Sequence, residues 1–550
     1  MRKDKPTLAI YGIQDIDDKP YPSWVHDHNI TLAENEEIIK FCQLERITRK
    51  KYDHRMPDFL YDLLKDERLL SHDDYDVVFV DNVIGRSFIN TRGNLRFEAP
   101  LTEKPLLYPE SGRLFWLDNH RNGYVVNHEL AHVFSNMPFY GEFKNNSLHV
   151  HFDGGARSSN FSAWLFKDGS MHLIEYNWDL KLLSSFFNSN ALTFSIIGAT
   201  KKDQNGMAGK FMGFSAYGSY DERIEEWLRR NNYFENIWGN KTHFFTKVKN
   251  DWSINLSNFD LNNEFIRNVA ATFQHIFEKE LIAKLNTLKT RTGADSLYYT
   301  GGSALNIKAN GKILSSGLFD ELYIPPCTND SGLSLGAATF IEWLKHGKVK
   351  KHSPYLNNWS LGNNITEYTV ENLEQIIELL ASEEIIGVCN GFGEAGPRAL
   401  GNRSIIARAD SHELAQFVSQ KLKNREWYRP VAPVILEKNL EYFVGNPVYS
   451  ELSKYMLLDF PVRQSKIQEM AGCVHVDGTS RIQTIKNRHD IPFMHDLLTL
   501  LEERKGIKAL LNTSFNTRGK SIVHNEKDAI EDAKIMGLNY LILNGRLITL

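Results

Sequence analysis

Apolar positions fall in short, separated blocks along the chain. "TLAIYGI" and "YDVVFVDNVI" are β-branched and aromatic runs of strand length. Apolar runs this short predict buried strands. Between them, "ENEEIIKFCQLERITRKKYDHRMPDFLYDLLKDERLL" passes from a strand into a charged amphipathic helix. "NHELAHVF" predicts another helix. "SLHVHFDGGARSSNFSAWLFKDGSMHLIEYN" reads as three strands joined by a Gly-Gly loop and an Asp-Gly turn, a meander opening on an acidic glycine loop. A helix-rich region runs from Ala216 to Leu288. "DSLYYTGGSALNIKANGKIL" and "ELYIPPCTNDSGLSLGAATFIEWL" each return to strand, turn and helix. "KHGKVKKHSPYLNNWSLGNN" is polar and turn-rich and marks a domain boundary, with a second α/β segment behind it. There are no tandem repeats and no low-complexity tract.

Composition narrows this only a little. At 550 residues the chain is long for one domain, so two or three are expected. A hydrophobic share of 42%, a charged share of 24% and a net charge of −4 describe a globular protein with no global basic excess. The four cysteines, Cys42, Cys327, Cys389 and Cys473, form no C-x-x-C pair, which fits a reducing cytoplasm. No apolar stretch approaches the roughly 20 residues of a membrane span.

The chemistry concentrates at a few places. His128-Glu129-x-x-His132 puts two imidazoles on one helix face, close enough to share an ion. The spelling is that of a zinc protease, but "HVFSNMP" lacks the glycine and third histidine of one protease class. A protease, a helix without metal and a different metal site all stay open on those residues. Asp153 ends a strand ahead of Gly154-Gly155, and Gly301-Gly302 and Asp330 with Gly332 repeat the strand–loop–helix junction. Three such junctions in order point to a nucleotide-binding cleft. Lys210 and Gly213 lie in "GKFMGFSAYG", where the lysine could meet a phosphate or only water. Farther on, Arg398, Arg403, Arg425, Arg429, Arg481 and Arg518 recur beside glycines, prolines and amides, a pattern suited to bidentate capture of phosphate or carboxylate.

With these stand "NHELAHVF", "HFDGGA", "TGGSALNIKANGKI", "NDSGLSLGAA", "GEAGPRALGNRSI", "YRPVAPV", "DGTSRIQTI" and "LLNTSFNTRGKSIV". In this order they resemble the O-carbamoyltransferase family of nodulation and antibiotic-tailoring enzymes, over almost the whole chain. The resemblance implies an α/β protein of two domains. An actin/hexokinase-like domain of the tRNA threonylcarbamoyltransferase type would span residues 1–355, and a YrdC-like domain residues 356–550. It implies ATP with Mg2+ and carbamoyl phosphate as substrates. The second domain would make carbamoyl-adenylate, and the first would pass the carbamoyl group to an acceptor hydroxyl. Carried over by motif, His128, His132, Asp153 and Asp330 would hold a divalent metal, Fe2+, Mn2+ or Zn2+. Gly154, Gly155, Lys210, Gly213, Gly301, Gly302 and Asn306 would face the nucleotide. Arg398, Arg403, Arg429, Arg481, Asn512 and Ser514 would form the adenylation site.

His26 and Asp27, in "WVHDHNITL", match the family's His-Asp pair at the transfer site. A histidine near its ordinary pKa suits a general base. Two departures stand out: Glu129 replaces a usual second histidine, and Phe392 stands where an arginine is common. The acceptor is not legible; a sugar, a natural product or a hydroxymethylated pyrimidine in DNA would serve. The basic stretch "ERITRKKYDHR" would suit nucleic acid, or equally a solvated helix face. No membrane partner is expected, and a homodimer is an open expectation. The rival readings are a HExxH zinc metalloprotease and a non-catalytic nucleotide-binding regulator.

Overall fold

The apolar runs form strands where their pattern predicts them. β1 (Thr7–Tyr11) and β4 (Asp76–Val80) are buried at every position, because both lie in the middle of a sheet with both faces covered. The computed structural model describes residues 5–13, 25–70, 75–100, 107–157, 159–185, 197, 205–235, 241–256, 260–364 and 367–550.

β1 and β4 belong to an eight-stranded sheet with β2 (Asn29–Glu34), β3 (Glu37–Gln43), β5 (Ser87–Ile89), β6 (Leu95–Glu98), β7 (Glu110–Trp116) and β8 (Asn119–Val126), in the order β3-β2-β1-β4-β8-β7-β6-β5. β1, β4 and β8 run parallel at its centre. A second sheet, β11-β10-β9-β12-β13, contains the predicted meander β9 (Ser147–Phe152), β10 (Phe161–Lys167) and β11 (Ser170–Asn177). It also contains β12 (Ser296–Thr300) and β13 (Glu321–Tyr323), parallel to each other and to β9.

Two helices fill the layer between the sheets. Leu333–His346 packs on β1, β2 and β4, and His128–Phe134 packs on β9 and β12. They touch through Gly336, where an added Cβ would stand 1.7 Å from the Ala131 carbonyl oxygen. Glycine is therefore required there to let the backbones meet. On the outer side of the second sheet lies the long helix Glu264–Thr292, capped by Asn263 and ended by the left-handed Gly293.

The remaining chain forms a seven-stranded mixed sheet from β14 (Ile386–Cys389), β15 (Arg403–Arg408), β16 (Ala432–Leu436), β19 (Gln483–Ile485), β20 (Ala509–Ser514), β21 (Tyr540–Leu543) and β22 (Arg546–Thr549). A short ribbon, β17 (Phe460–Pro461) with β18 (Thr479–Ser480), lies beside it. Helices Val370–Ala381 and Pro492–Lys505 bury their apolar faces on it. The architecture is α/β throughout, as the alternation of runs and turns implied. Among the described residues no helix is long and apolar enough to cross a membrane.

Two segments carry contacts that their polar character hides. In the polar stretch before Ile365, Asn357 and Trp359 are buried, and Asn357 bridges Phe41 and Gly393. The basic stretch Glu45–Arg55 is partly packed inside. Arg46 is buried and donates to the Gly396 carbonyl at 2.7 Å, Arg49 pairs with Asp532, and Ser521 donates to the Glu45 carbonyl. Lys50 and Lys51 stay exposed and line the cleft, and Arg55 pairs with Asp53 of the same stretch. Through Glu45, Arg46 and Arg49 the stretch joins the two halves of the molecule.

Candidate active site

The helix His128–Phe134 starts at Asn127, whose side chain accepts from the Leu130 amide at 3.1 Å, while Asp81 accepts from the His128 amide at 2.9 Å. Both bonds fix the helix start and so aim the next two turns. His132 Nε2 lies 3.3 Å from Asp330 Oδ1 and 3.7 Å from Asp153 Oδ2; His128 Nε2 lies 3.6 Å from Asp330 Oδ1. Both Nε2 atoms are buried without a hydrogen-bond partner. Donors about 2.1 Å from one shared ion stand roughly 3 Å apart when adjacent. The unpaired nitrogens, the carboxylates and their spacing therefore fit a divalent metal. Burial opposes charge on His128, but the Asp330 carboxylate outweighs it and raises the imidazole to about 9. Burial would likewise raise Asp330, yet the two imidazoles hold it well below the carboxylate range. Tyr11 donates to Asp330 Oδ2 at 2.8 Å and fixes that carboxylate. Among the described residues the metal-competent clusters are His132 with Asp153 and Asp330, and His128 with His132 and His151. Sequence reasoning missed Tyr11 and His151: both lie in blocks that were read, "TLAIYGI" and "HFDGGA", but only as strand positions, and only the fold brings them to His128 and His132.

Glu129 is fully buried, accepts from Ser159 Oγ at 2.8 Å, and with burial pushes Asp81 up to about 7. It belongs to neither metal-competent cluster.

The glycine loops correct the expectation. The amides of Gly154 and Gly302 point at Asp153, donating to its carboxylate at 2.6 and 2.7 Å, so they position a ligand and are not free for phosphate. Gly301 holds φ at 94° with Phe152 O 2.1 Å from its Cβ position, and Gly155 abuts Trp178; both permit close packing and neither lines the cleft. Gly302, Gly213 and Asn306 do line it. Asn306 caps the helix Ile307–Ser315. Lys210, on the helix Met207–Ser215, pairs with Glu426 at 3.0 Å.

The cleft itself is a cavity of about 650 Å3 between the two domains. One wall carries His26, Asp27 and Asp153; the other carries Arg398, Arg425, Arg429, Arg481, Lys423, Asn512 and Ser514. Arg398 Nε and Arg481 Nε are buried without partners. Burial and the neighbouring guanidinium groups push Arg398 down to about 10 and Arg425 down to about 9. So many buried like charges call for a bound polyanion. Asn512 donates to Gln483 at 2.6 Å and leaves its carbonyl oxygen without a partner, while Ser514 accepts from Arg425 at 3.2 Å.

Arg403 is not part of this wall. Its guanidinium donates to the carbonyls of Asn390, Gly391, Asn402 and His524 at 2.7 to 3.1 Å, which leaves nothing for a ligand. It starts β15, the central strand, and ties together the backbone around that strand's start. Phe392 also lies outside the cleft lining, so its departure from arginine removes no contact there.

His26 Nδ1 lies 3.0 Å from Asp27 Oδ2, and Asn329 donates to the same oxygen at 2.9 Å. Burial favours the neutral imidazole, but the Asp27 hydrogen bond and the charges of Asp330, Asp27 and Asp153 raise it to about 10. The expected base near its ordinary pKa is thus a protonated imidazole at neutral pH.

The family model Carbamoyltransferase N-terminus matches residues 112–339, and Carbamoyltransferase C-terminus matches residues 377–549. The chain is 27% identical to an uncharacterized protein of Methanocaldococcus jannaschii, covering 94% of this chain and 98% of that one. It is 26% identical to nodulation protein NolNO of Sinorhizobium fredii (96% and 79% covered) and 31% identical to nodulation protein U of the same organism (60% and 61%). Full-length HypF in its phosphate- and nucleotide-bound form is 11% identical over 63% of this chain and 57% of that one, at a TM-score of 0.34, too loose to carry an argument. The paired family models and the two-walled cleft lead to one conclusion: the chain belongs to the carbamoyltransferase family and is a carbamoyltransferase.

Proposed function

We propose that the protein is an ATP-dependent O-carbamoyltransferase that works through carbamoyl-adenylate. The observation that carries this is the single cavity with its two unlike walls. Its volume suits a nucleotide with a small second substrate. On the arginine wall, water cleaves carbamoyl phosphate to carbamate and phosphate, and the carbamate oxygen then attacks the α-phosphorus of ATP, releasing pyrophosphate. Arg398, Arg425, Arg429 and Arg481 neutralise the charge that crowds there. Adenylation turns the carbamate, a poor electrophile, into one with a good leaving group.

On the other wall the acceptor hydroxyl attacks the carbamoyl carbon and AMP departs. His26, holding its proton, donates toward the carbonyl oxygen as charge builds there. The Asp27 carboxylate, whose Oδ2 stands 3.0 Å from His26 Nδ1, takes the hydroxyl proton. A divalent ion on His128, His132, Asp153 and Asp330 would supply positive charge beside the departing phosphate. The donor set fits Fe2+, Mn2+ or Zn2+.

The test is carbamoyl-phosphate-dependent exchange of labelled pyrophosphate into ATP, followed by an acceptor library of sugars, natural-product alcohols and hydroxymethylcytosine DNA. Exchange, AMP release and a product heavier by one carbamoyl group are expected. A metal-replete enzyme that shows no exchange with carbamoyl phosphate refutes the reading.

A further inference from the structure

β9 presents His151 and Asp153 two positions apart, so both side chains emerge on one face of the strand. His151 is fully buried and its Nε2 has no hydrogen-bond partner. Its ring stacks on that of His132, with centroids 4.8 Å apart and planes 28° apart, and lies 6.2 Å from that of His128. One donor atom from each of the three imidazoles falls within 4.8 Å of the others. The opposite ring nitrogen faces Ser162, its cross-strand neighbour, with Nδ1 3.5 Å from Ser162 Oγ. That hydroxyl already accepts from Trp164 Nε1 at 3.0 Å. An indole nitrogen can only donate, so the hydroxyl oxygen accepts there and keeps one lone pair and its own proton. An Nδ1–H tautomer of His151 uses that lone pair and leaves Nε2 with its own lone pair, as metal-bound imidazoles require.

We propose that His151 is a third imidazole ligand of the ion held by His128, His132, Asp153 and Asp330, with Ser162 and Trp164 setting its tautomer. This rests on the metal centre proposed above and deepens it. A third imidazole shifts the site away from Mg2+ and Mn2+ and toward borderline ions such as Fe2+, Co2+ and Zn2+. Donors sharing one ion stand at most about 4.2 Å apart, so the cluster contracts slightly as the ion binds.

The test uses the full chain, stripped of metal and reloaded with Co2+ or Zn2+. X-ray absorption counts the imidazoles on Co2+, and competition with a chelating dye gives the Zn2+ and Mn2+ affinities. Wild type is expected to show three imidazoles. His151→Leu is expected to show two, with Zn2+ affinity lower by about tenfold or more and Mn2+ affinity reduced less. Two imidazoles in wild type, or unchanged Zn2+ affinity in folded His151→Leu, overturns the assignment; a Zn2+ affinity that still collapses in His132→Ala then shows the centre itself standing. Wild type that binds neither ion removes the centre and this ligand together. If His151→Leu does not fold, the imidazole count on wild type decides alone.

Discussion

His132 Nε2 faces Asp330 Oδ1 across 3.3 Å, and no hydrogen bond satisfies the nitrogen. One residue lies on the helix His128–Phe134, the other at the turn leading into the helix Leu333–His346. The pair exists because those two helices are pressed together between the two sheets of the N-terminal half. A metal held at this point would bind only the folded chain, so its removal would have a thermodynamic cost.

Chelation is therefore expected to lower the melting temperature. Restoring Zn2+ or Fe2+ to about 100 times its dissociation constant should return about 2.7 kcal/mol. His132→Ala should abolish that response. Calorimetry with and without chelator measures it, and a wild-type melt indifferent to both chelator and metal speaks against the centre.

Gly336→Ala should damage the same centre from behind, since the new methyl group meets the Ala131 carbonyl 1.7 Å away. Pushing the two helices apart should cost about 3 kcal/mol and weaken metal binding. Denaturant titration together with metal affinity checks both; full stability in this variant would contradict the packing.

Glu129→Gln should leave pyrophosphate exchange within about twofold of wild type, because Glu129 bonds Ser159 and belongs to neither metal-competent cluster. Neither protein should cleave peptides. Loss of exchange in this variant, with the fold intact, would place Glu129 in the chemistry.

The arginines separate into two kinds. Arg403→Ala leaves four buried carbonyl groups without their donor and should cost about 3 kcal/mol or more. Arg398→Ala removes one of several crowded charges, so stability should hold or rise while exchange falls roughly a hundredfold. Thermal melts beside exchange rates distinguish them, and the reverse pattern would exchange their roles.

The His26–Asp27 pair sets a pH dependence in metal-free protein. The folded imidazole titrates at about 10, above its ordinary value, so its stabilising effect is complete below about 6.5. It is lost as pH rises from there through 10. Denaturation midpoints should fall over that window in wild type and fall less in His26→Gln. Equal slopes in the two proteins would show that the pair carries no such linkage.

Much of the site was legible in the chain because it is written locally. The i, i+4 spacing of His128 and His132 needs nothing but helical periodicity, and "GEAGPRALGNRSI" needs only its own order. Roles that depend on what stands opposite a side chain were not legible. Arg398 and Arg403 look alike in that block, yet one projects into the cleft and the other is held by carbonyls at the start of β15. The amides of Gly154 and Gly302 look like phosphate donors until the fold places the Asp153 carboxylate between them.

The sequence by itself determined the α/β pattern, the two histidines on one face and the family, since each rests on periodicity or on a contiguous motif. The tertiary structure alone decided that Tyr11 and His151 meet those histidines and that Glu129 bonds Ser159. It also decided that a basic stretch becomes the seam between domains. Those facts depend on distances between residues far apart in the chain, and only the packing of two sheets around two touching helices sets such distances.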